Sequence, residues 1–358
     1  MQNFSMGTRI VSGAGAVSVL EELRAEKVMV VSDPYFRETA RRLGELSGAG
    51  EIRIFDRVQP DPTVELAAEG TAEFRAFGPG LLVALGGGSA MDLAKAVKYF
   101  SKSEVPLAAI PTTSGSGSEV TDFAVLTHGA VKHPLVDPRL RPNLAILDSD
   151  LLQTLPKSLI ADAGFDVLTH AAEAAVAKHA GAFSDLYARE AFKLAYGALP
   201  ASYAGHTEVR LKIHMASTMA GIAFSQAGLG LCHALSHSLG ARFHVPHGRL
   251  NAILLPSVIR VNAHGAAHRY GELARAAGIA GSADSVAVRN LCNGLLRLRK
   301  ELHLPETLAQ AGISAREIWE NMGDIVKAAL ADPCSRTNPL EPEDFVVRRI
   351  LDEVTGRG

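Results

Sequence analysis

Within residues 27–148, five short runs of apolar and β-branched residues alternate with helix-length stretches, and no other feature restricts the fold as tightly. KVMVVSD (27–33), EIRIFD (51–56), LLVALGGGS (81–89), VPLAAIPTT (105–113) and LAILD (144–148) read as strands. FRETARRLGEL, TVELAAEGTAEFRAF and MDLAKAVKYF read as the helices between them. Alternation at this spacing predicts a parallel sheet with helices on both faces. The segment TDFAVLTHGAVKHPLV (121–136) breaks the rhythm and reads as two strands around His128-Gly129-Ala130, a hairpin and not a crossover. After about residue 155 strand signals stop, and SLIADAGFDVLTHAAEAAVAKH opens an Ala- and Leu-rich region of helical periodicity. With Pro156 as the boundary, the expectation is an α/β domain over 1–155, a Rossmann-like parallel sheet carrying a β-hairpin. An all-α C-terminal domain over 156–358 follows.

Composition narrows the function. The 358 residues leave room for roughly two domains at about 150 each, and 47% hydrophobic residues fill ordinary cores. A net charge of −2 and 6% aromatics offer neither an electrostatic footprint nor a stacking surface, so nucleic acid is excluded as a partner. No run approaches the roughly 18 apolar residues that span a bilayer, so no membrane partner is expected. The N-terminal MQNFSMGTRIVSGAG has no basic segment leading an apolar one, and a secretory leader is not expected. Cys232, Cys292 and Cys334 are too few and too scattered for a disulfide framework or a CxxC site. A cytoplasmic protein is the economical expectation.

Two loops stand at strand ends, where ligands of open α/β sheets bind. Gly86-Gly87-Gly88-Ser89 follows a buried-type strand and opens a helix, so backbone amides and the helix terminus can meet a pyrophosphate. Ser89 has the character of an N-cap, with Asp92 at capping-box spacing. Asp92 would repel a phosphate beside it, so it either caps the helix and points away or binds a ribose hydroxyl. The string is not GxGxxG, and by itself it is equally a tight strand–helix turn. The second loop, Pro111-Thr112-Thr113-Ser114-Gly115-Ser116-Gly117-Ser118-Glu119, packs hydroxyls and glycines behind another strand. Asp33 ends the first predicted strand, where a carboxylate accepts from a ribose 2′-OH and repels a 2′-phosphate; a turn before Pro34 explains it as well.

The most informative region is CHALSHSLGARFHVPHG. It holds His233, His237, His244 and His247, where uniform scatter of the 13 histidines would place about half of one. His233 and His237 share a helix face, as do Asp166 and His170 in GFDVLTH. His247 precedes Gly248, where the chain can turn sharply. Polar pairs on apolar helices need partners, and a divalent cation satisfies several at once. Asp166, His170, His233 and His247 make an N₃O set suited to Fe(II), Zn(II), Co(II) or Mn(II). A structural cluster without metal is the alternative. The lone histidines His179, His206, His214 and His264 read as surface or satisfied core residues.

The strings GGGSAMDLAKA, PTTSGSGSEVT, AILDSDLL, GFDVLTHAAEA and GLCHALSHSLGARFHVPHG together resemble the iron-containing (group III) alcohol dehydrogenase family, in family order and over nearly the whole chain. FSMGTRIVSGAG, STMAGIAFSQAGLGL and AALADPCSRTNPLEP are similar to the propanediol-utilisation branch of that family. The resemblance implies a dehydroquinate synthase-like architecture, with a dinucleotide-binding domain over 1–155 and a metal-binding, catalytic domain over 156–358, with metal ligands at Asp166, His170, His233 and His247 and an additional active-site histidine at His237. It implies nucleotide contacts at Gly86, Gly87, Gly88, Ser89, Thr112, Thr113 and Ser116, a cofactor-contacting lysine at Lys132, and NAD-over-NADP selection at Asp33. Ser114 stands where Ala is usual, and Ser116 where Thr is usual; both keep small size. The implied cofactors are NAD and Fe(2+), with Zn(2+) also fitting the donors. A homo-oligomer, often a dimer, and bacterial microcompartment association are implied as well.

The expected reaction is NAD(H)- and metal-dependent reduction of a short-chain aldehyde, propanal or acetaldehyde, to the primary alcohol, and the reverse oxidation. Metal polarises the aldehyde oxygen, hydride passes from the reduced nicotinamide, and His237 relays the alkoxide proton. His237 in a purely structural role is the alternative. A lyase of the dehydroquinate synthase type would need Lys and Arg gathered for phosphate and carboxylate, whereas only Lys178, Arg242 and Arg249 lie near the metal strings. A non-catalytic nucleotide-binding partner is the other rival.

Overall fold

The structure is a computed structural model and describes residues 4–129 and 131–356. Packing divides the chain into two units, Ser5–Leu155 and the part from Pro156 onward together with Phe4.

The first unit contains strands β1 (Arg9–Gly13), β2 (Lys27–Ser32), β3 (Glu51–Phe55), β4 (Leu81–Gly86), β5 (Leu107–Pro111), β6 (Phe123–His128), β7 (Val131–Val136) and β8 (Leu144–Asp148). Its helices are α1 (Arg37–Leu46), α2 (Val64–Phe77) and α3 (Gly88–Ser101). Six strands form a parallel sheet in the order β1-β8-β5-β4-β2-β3. Strands β6 and β7 form the separate antiparallel hairpin, with Phe123 opposite Val136. Ala130 of the anticipated hairpin turn lies outside the described residues.

Five of the six sheet strands were legible in the sequence, and β1 is a correction. RIVSG is short, half exposed and at the sheet edge, pairing only with β8, so it lacks the apolar run that marks the others. Strand β4 is buried on both faces, as parallel strands covered by helices must be. Its Leu81, Val83 and Leu85 pack with Ala40 and Leu43 of α1, while Leu82 and Ala84 pack with Ala67 of α2 and Val97 of α3. Each buried leucine or valine among them contributes about 1.5–3 kcal/mol. Helices α1 and α2 cover opposite faces, so the chain reverses its direction of winding between β2 and β4. The carboxyl ends of those two strands flank the switch point where open α/β sheets receive ligands.

The second unit is helical: α4 (Lys157–Val176), α5 (Ala182–Ala204), α6 (Arg210–Ala227), α7 (Leu231–Phe243), α8 (His247–Ala276), α9 (Asp284–Glu301), α10 (Ala315–Ala331), α11 (Pro333–Thr337) and α12 (Asp344–Thr355). Helix α4 is buried almost all round and packs against α5, α6 and α8. None of the described helices is long and apolar enough to cross a membrane.

Candidate metal centre and nucleotide loops

At the switch point, Asp33 follows β2 and its Oδ1 accepts from Tyr35 N–H at 2.9 Å. Gly86 ends β4 with φ of 149°, a backbone shape that favours glycine, and a Cβ there would stand 3.7 Å from Asp33 Oδ2. A Cβ on Gly87 would come within 3.2 Å of Thr113 Oγ1, and one on Gly88 within 3.2 Å of Ser116 Cβ. The two loops therefore abut, with glycine backbone facing hydroxyl side chains. Thr112 N–H donates to Gly86 O at 2.9 Å and holds them in register. Helix α3 is preceded by Gly87, which as the N-cap residue has no side chain to cap it. Ser89 thus lies inside the first turn, which corrects the expected N-cap and capping box. A helix start with glycine at the N-cap, lined by hydroxyls, fits an anion such as a pyrophosphate.

Asp92 turns inward. Its Oδ1 accepts from Ser118 Oγ at 2.7 Å and its Oδ2 from Val125 N–H at 3.0 Å. Beside it Lys95, fully buried, donates to Ser118 Oγ at 2.7 Å, Thr121 Oγ1 at 2.8 Å and Phe123 O at 2.9 Å. Burial pushes the Lys95 ammonium down to about 8, although Asp92 and Glu119 oppose the shift. This network ties α3 to the second loop and the hairpin, and it resolves the tension of an acidic residue beside an anion loop. Lys132 Nζ lies 2.7 Å from Asp61 Oδ1.

In the helical unit, Asp166 and His170 stand one turn apart on α4, His233 lies in α7, and His247 opens α8. Asp166 Oδ1 is the hub, 3.7 Å from His233 Nε2, 3.6 Å from His247 Nε2 and 3.9 Å from His170 Nδ1. Donors sharing one tetrahedral cation at about 2.1 Å sit about 3.4 Å apart. The observed spacings are too long for hydrogen bonds and close to that value. His233 is 1% exposed, and its Nε2 has no hydrogen-bond partner among the described residues. A buried ring nitrogen facing a carboxylate and a second imidazole is where a cation would complete the set. Asp166, His233 and His247 bring their donor atoms within 4.8 Å of one another. His170 flanks this trio, its ring stacked 4.4 Å from those of His233 and Phe224.

Supporting residues fix these rings. Glu173 is 1% exposed; its Oε2 accepts from His233 Nδ1 at 2.6 Å and Gly230 N–H at 2.9 Å, and its Oε1 from Cys232 N–H at 2.6 Å. Asn251 Nδ2 donates to Asp166 Oδ1 at 2.8 Å, and Ser236 Oγ donates to Asn251. Gly248 does not make a sharp turn, another correction. It sits in the first turn of α8, where a Cβ would fall 1.9 Å from Asp162 O. Its bareness lets α8 approach α4 and sets His247 beside Asp166.

Burial disfavours charge throughout, yet the neighbours prevail at two groups. The imidazoles hold Asp166 far below the usual carboxylate range. Burial is likewise outweighed at His233, which Asp166 and Glu173 lift to about 9. Desolvation and adjoining imidazoles keep His247 well below its ordinary value, in the neutral form a metal needs.

His237 lies one turn after His233 and stacks on His247, ring centres 5.1 Å apart. Its Nδ1 meets Asp332 Oδ2 at 2.9 Å. With Cys334 these two form a second trio of ligand-type atoms within 4.8 Å.

Glu173, Asn251 and Asp332 escaped the sequence reading. Glu173 carried a signal, being seven residues after Asp166 and so on its helix face; Asn251 likewise follows His247 by four. Asp332 carried none, since 95 residues separate it from His237.

Comparisons with known proteins follow the same division. The sequence profile described as iron-containing alcohol dehydrogenase matches residues 7–149. That described as the Fe-containing alcohol dehydrogenase family, C-terminal, matches 160–355. A 1-propanol dehydrogenase PduQ of Salmonella typhimurium strain LT2 is 39% identical, covering 99% of this chain and 100% of the relative. An NADPH-dependent butanol dehydrogenase of Clostridium saccharobutylicum is 35% identical, covering 98% and 97%. A sulfoacetaldehyde reductase from Bifidobacterium kashiwanohense, solved in complex with NAD+, superposes with a TM-score of 0.90 at 26% identity, covering 100% of both chains.

Proposed function

Because the chain belongs to the iron-containing alcohol dehydrogenase family, we propose that it reduces a short-chain aldehyde such as propanal or acetaldehyde to the primary alcohol, and runs the reverse oxidation, with NAD(H) and Fe(II). The observation that carries this reading is the buried, unpartnered Nε2 of His233 facing Asp166 Oδ1 and the His247 imidazole at cation spacing.

Asp166, His170, His233 and His247 would hold the cation, and Asp33, Gly86 to Ser89, Thr112, Thr113, Ser116 and Lys132 the nucleotide. When bound, the cation supplies Lewis acidity to a carbonyl or alcohol oxygen, and the nicotinamide gives or takes the hydride. Glu173 keeps His233 in the tautomer whose Nε2 lone pair faces the other donors. Asp33 accepts from a ribose 2′-OH and repels a 2′-phosphate, which favours NAD. His237 takes the proton released from the alcohol during oxidation and returns it during reduction.

The surroundings favour a small uncharged substrate. Arg249 is engaged by Asp162, through Nε at 3.2 Å and Nη2 at 2.9 Å, and Arg242 by Asn321 and Asp324. Neither guanidinium is left for a phosphate or carboxylate of the kind a dehydroquinate synthase-type lyase must grip.

Anaerobic NADH oxidation over a panel of aldehydes, with metal analysis of the same sample, tests the reading. Metal-dependent turnover of propanal or acetaldehyde supports it. Metal-loaded protein that turns over no aldehyde and no primary alcohol contradicts it.

A further inference from the structure

Asp332 is held on both sides. It is the N-cap of α11, with Oδ1 accepting from Cys334 N–H at 2.8 Å, and Pro333 follows at the first helical position. Its Oδ2 meets Nδ1 of His237 at 2.9 Å. Helix α7, which carries His237, packs on α10 just before Asp332, and Ser238 Oγ donates to Ile325 O at 3.0 Å across that contact. The carboxylate is thus a fixed acceptor at a fixed distance from the ring. An ionised carboxylate only accepts hydrogen bonds, so the ring nitrogen facing it must carry the hydrogen.

We propose that Asp332 is a positioning residue which locks His237 in the Nδ1–H tautomer, leaving the Nε2 lone pair as the acceptor for the proton of the alcohol. The inference rests on the reading of His237 as the proton relay. In oxidation the alcohol O–H bond breaks and an N–H bond forms at Nε2. The electron pair freed from that O–H bond becomes the second carbon–oxygen bond of the carbonyl, and the proton then passes to water. The carbon-bound hydrogen leaves as hydride to the oxidised nicotinamide of the proposed reaction. In the opposite tautomer Nε2 already bears hydrogen and cannot accept.

The test is Asp332→Asn, which keeps the volume and keeps an oxygen for Cys334 N–H while presenting an amide donor to His237 Nδ1. Imidazole ¹⁵N spectra of metal-free wild type and variant read the tautomer without any turnover. The expected result is Nδ1–H in wild type and Nε2–H in the variant. In the iron-loaded enzyme kcat for alcohol oxidation then falls roughly 10²-fold with KM little changed, and Asp332→Glu restores most of it. An unchanged tautomer overturns the proposal, as does a switched tautomer with kcat intact. His237→Gln separates the two layers. If it loses kcat while Asp332→Asn does not, only the role of Asp332 falls. If it keeps kcat, the relay reading falls and takes the proposal with it.

Discussion

Glu173 offers the sharpest perturbation of the candidate metal centre, because its three hydrogen bonds can be counted. In Glu173→Gln one carbonyl oxygen replaces two carboxylate oxygens. Placed where Oε2 stood, it keeps His233 and Gly230 but turns the amide NH₂ toward Cys232 N–H. An orphaned buried N–H costs about 1–3 kcal/mol, and removing the charge weakens each retained bond by about 1 kcal/mol. The metal-free protein should therefore lose about 3–5 kcal/mol in urea unfolding. In the other amide orientation the NH₂ faces His233 Nδ1 and forces the hydrogen onto Nε2, which removes that nitrogen as a ligand. Either way cation affinity should drop about 10–100-fold, read by competition with a chelator of known affinity. Affinity within about twofold of wild type, alongside the expected loss of stability, would show that Glu173 braces the fold without orienting a ligand.

Further expectations concern the other parts. His233, lifted to about 9, holds a proton at neutral pH where a cation must bind. Uptake should release about one proton, and apparent affinity should climb about tenfold per pH unit until about pH 9, then level off; calorimetry in two buffers of different ionisation enthalpy measures both. In the metal-free protein the same raised pKa adds stability that is fully present below the unfolded value of 6.5 and is lost as pH rises through about 9. Replacing His247 with Ala should abolish metal and turnover together while nucleotide binding persists, as equilibrium dialysis and NADH fluorescence would show. Gly248→Ala should cost more than about 3 kcal/mol, because the new methyl meets Asp162 backbone and neither helix can retreat cheaply; an unshifted melting curve would refute the close approach. Asp33→Gly should narrow discrimination against NADP, and an unchanged ratio of kcat/KM values would remove Asp33 from that role.

What could be read without coordinates was what local sequence controls. The buried parallel strands announce themselves as apolar runs, because both faces of strands such as β4 are covered. The i, i+4 pairs Asp166/His170 and His233/His237 announce a shared helix face, because helical geometry fixes it. Strand β1 was silent since an edge strand with half-exposed side chains needs no apolar run. The pairings of Asp92 with Ser118 and of His237 with Asp332 join segments 26 and 95 residues apart. Such contacts depend on how helices pack, which no local pattern specifies. Ser89 has the composition of a cap, yet Gly87 takes that position, where a Cβ would crowd Thr113 Oγ1 at 3.2 Å.

Crystals grown anaerobically with iron, examined by anomalous diffraction at the iron edge, test the proposed ligand set most directly. One strong peak is expected at about 2.0–2.2 Å from an Asp166 oxygen and from Nε2 of His233 and His247, with His170 completing the set. A peak coordinated by other residues, or fully active crystals with no metal at Asp166, would contradict it.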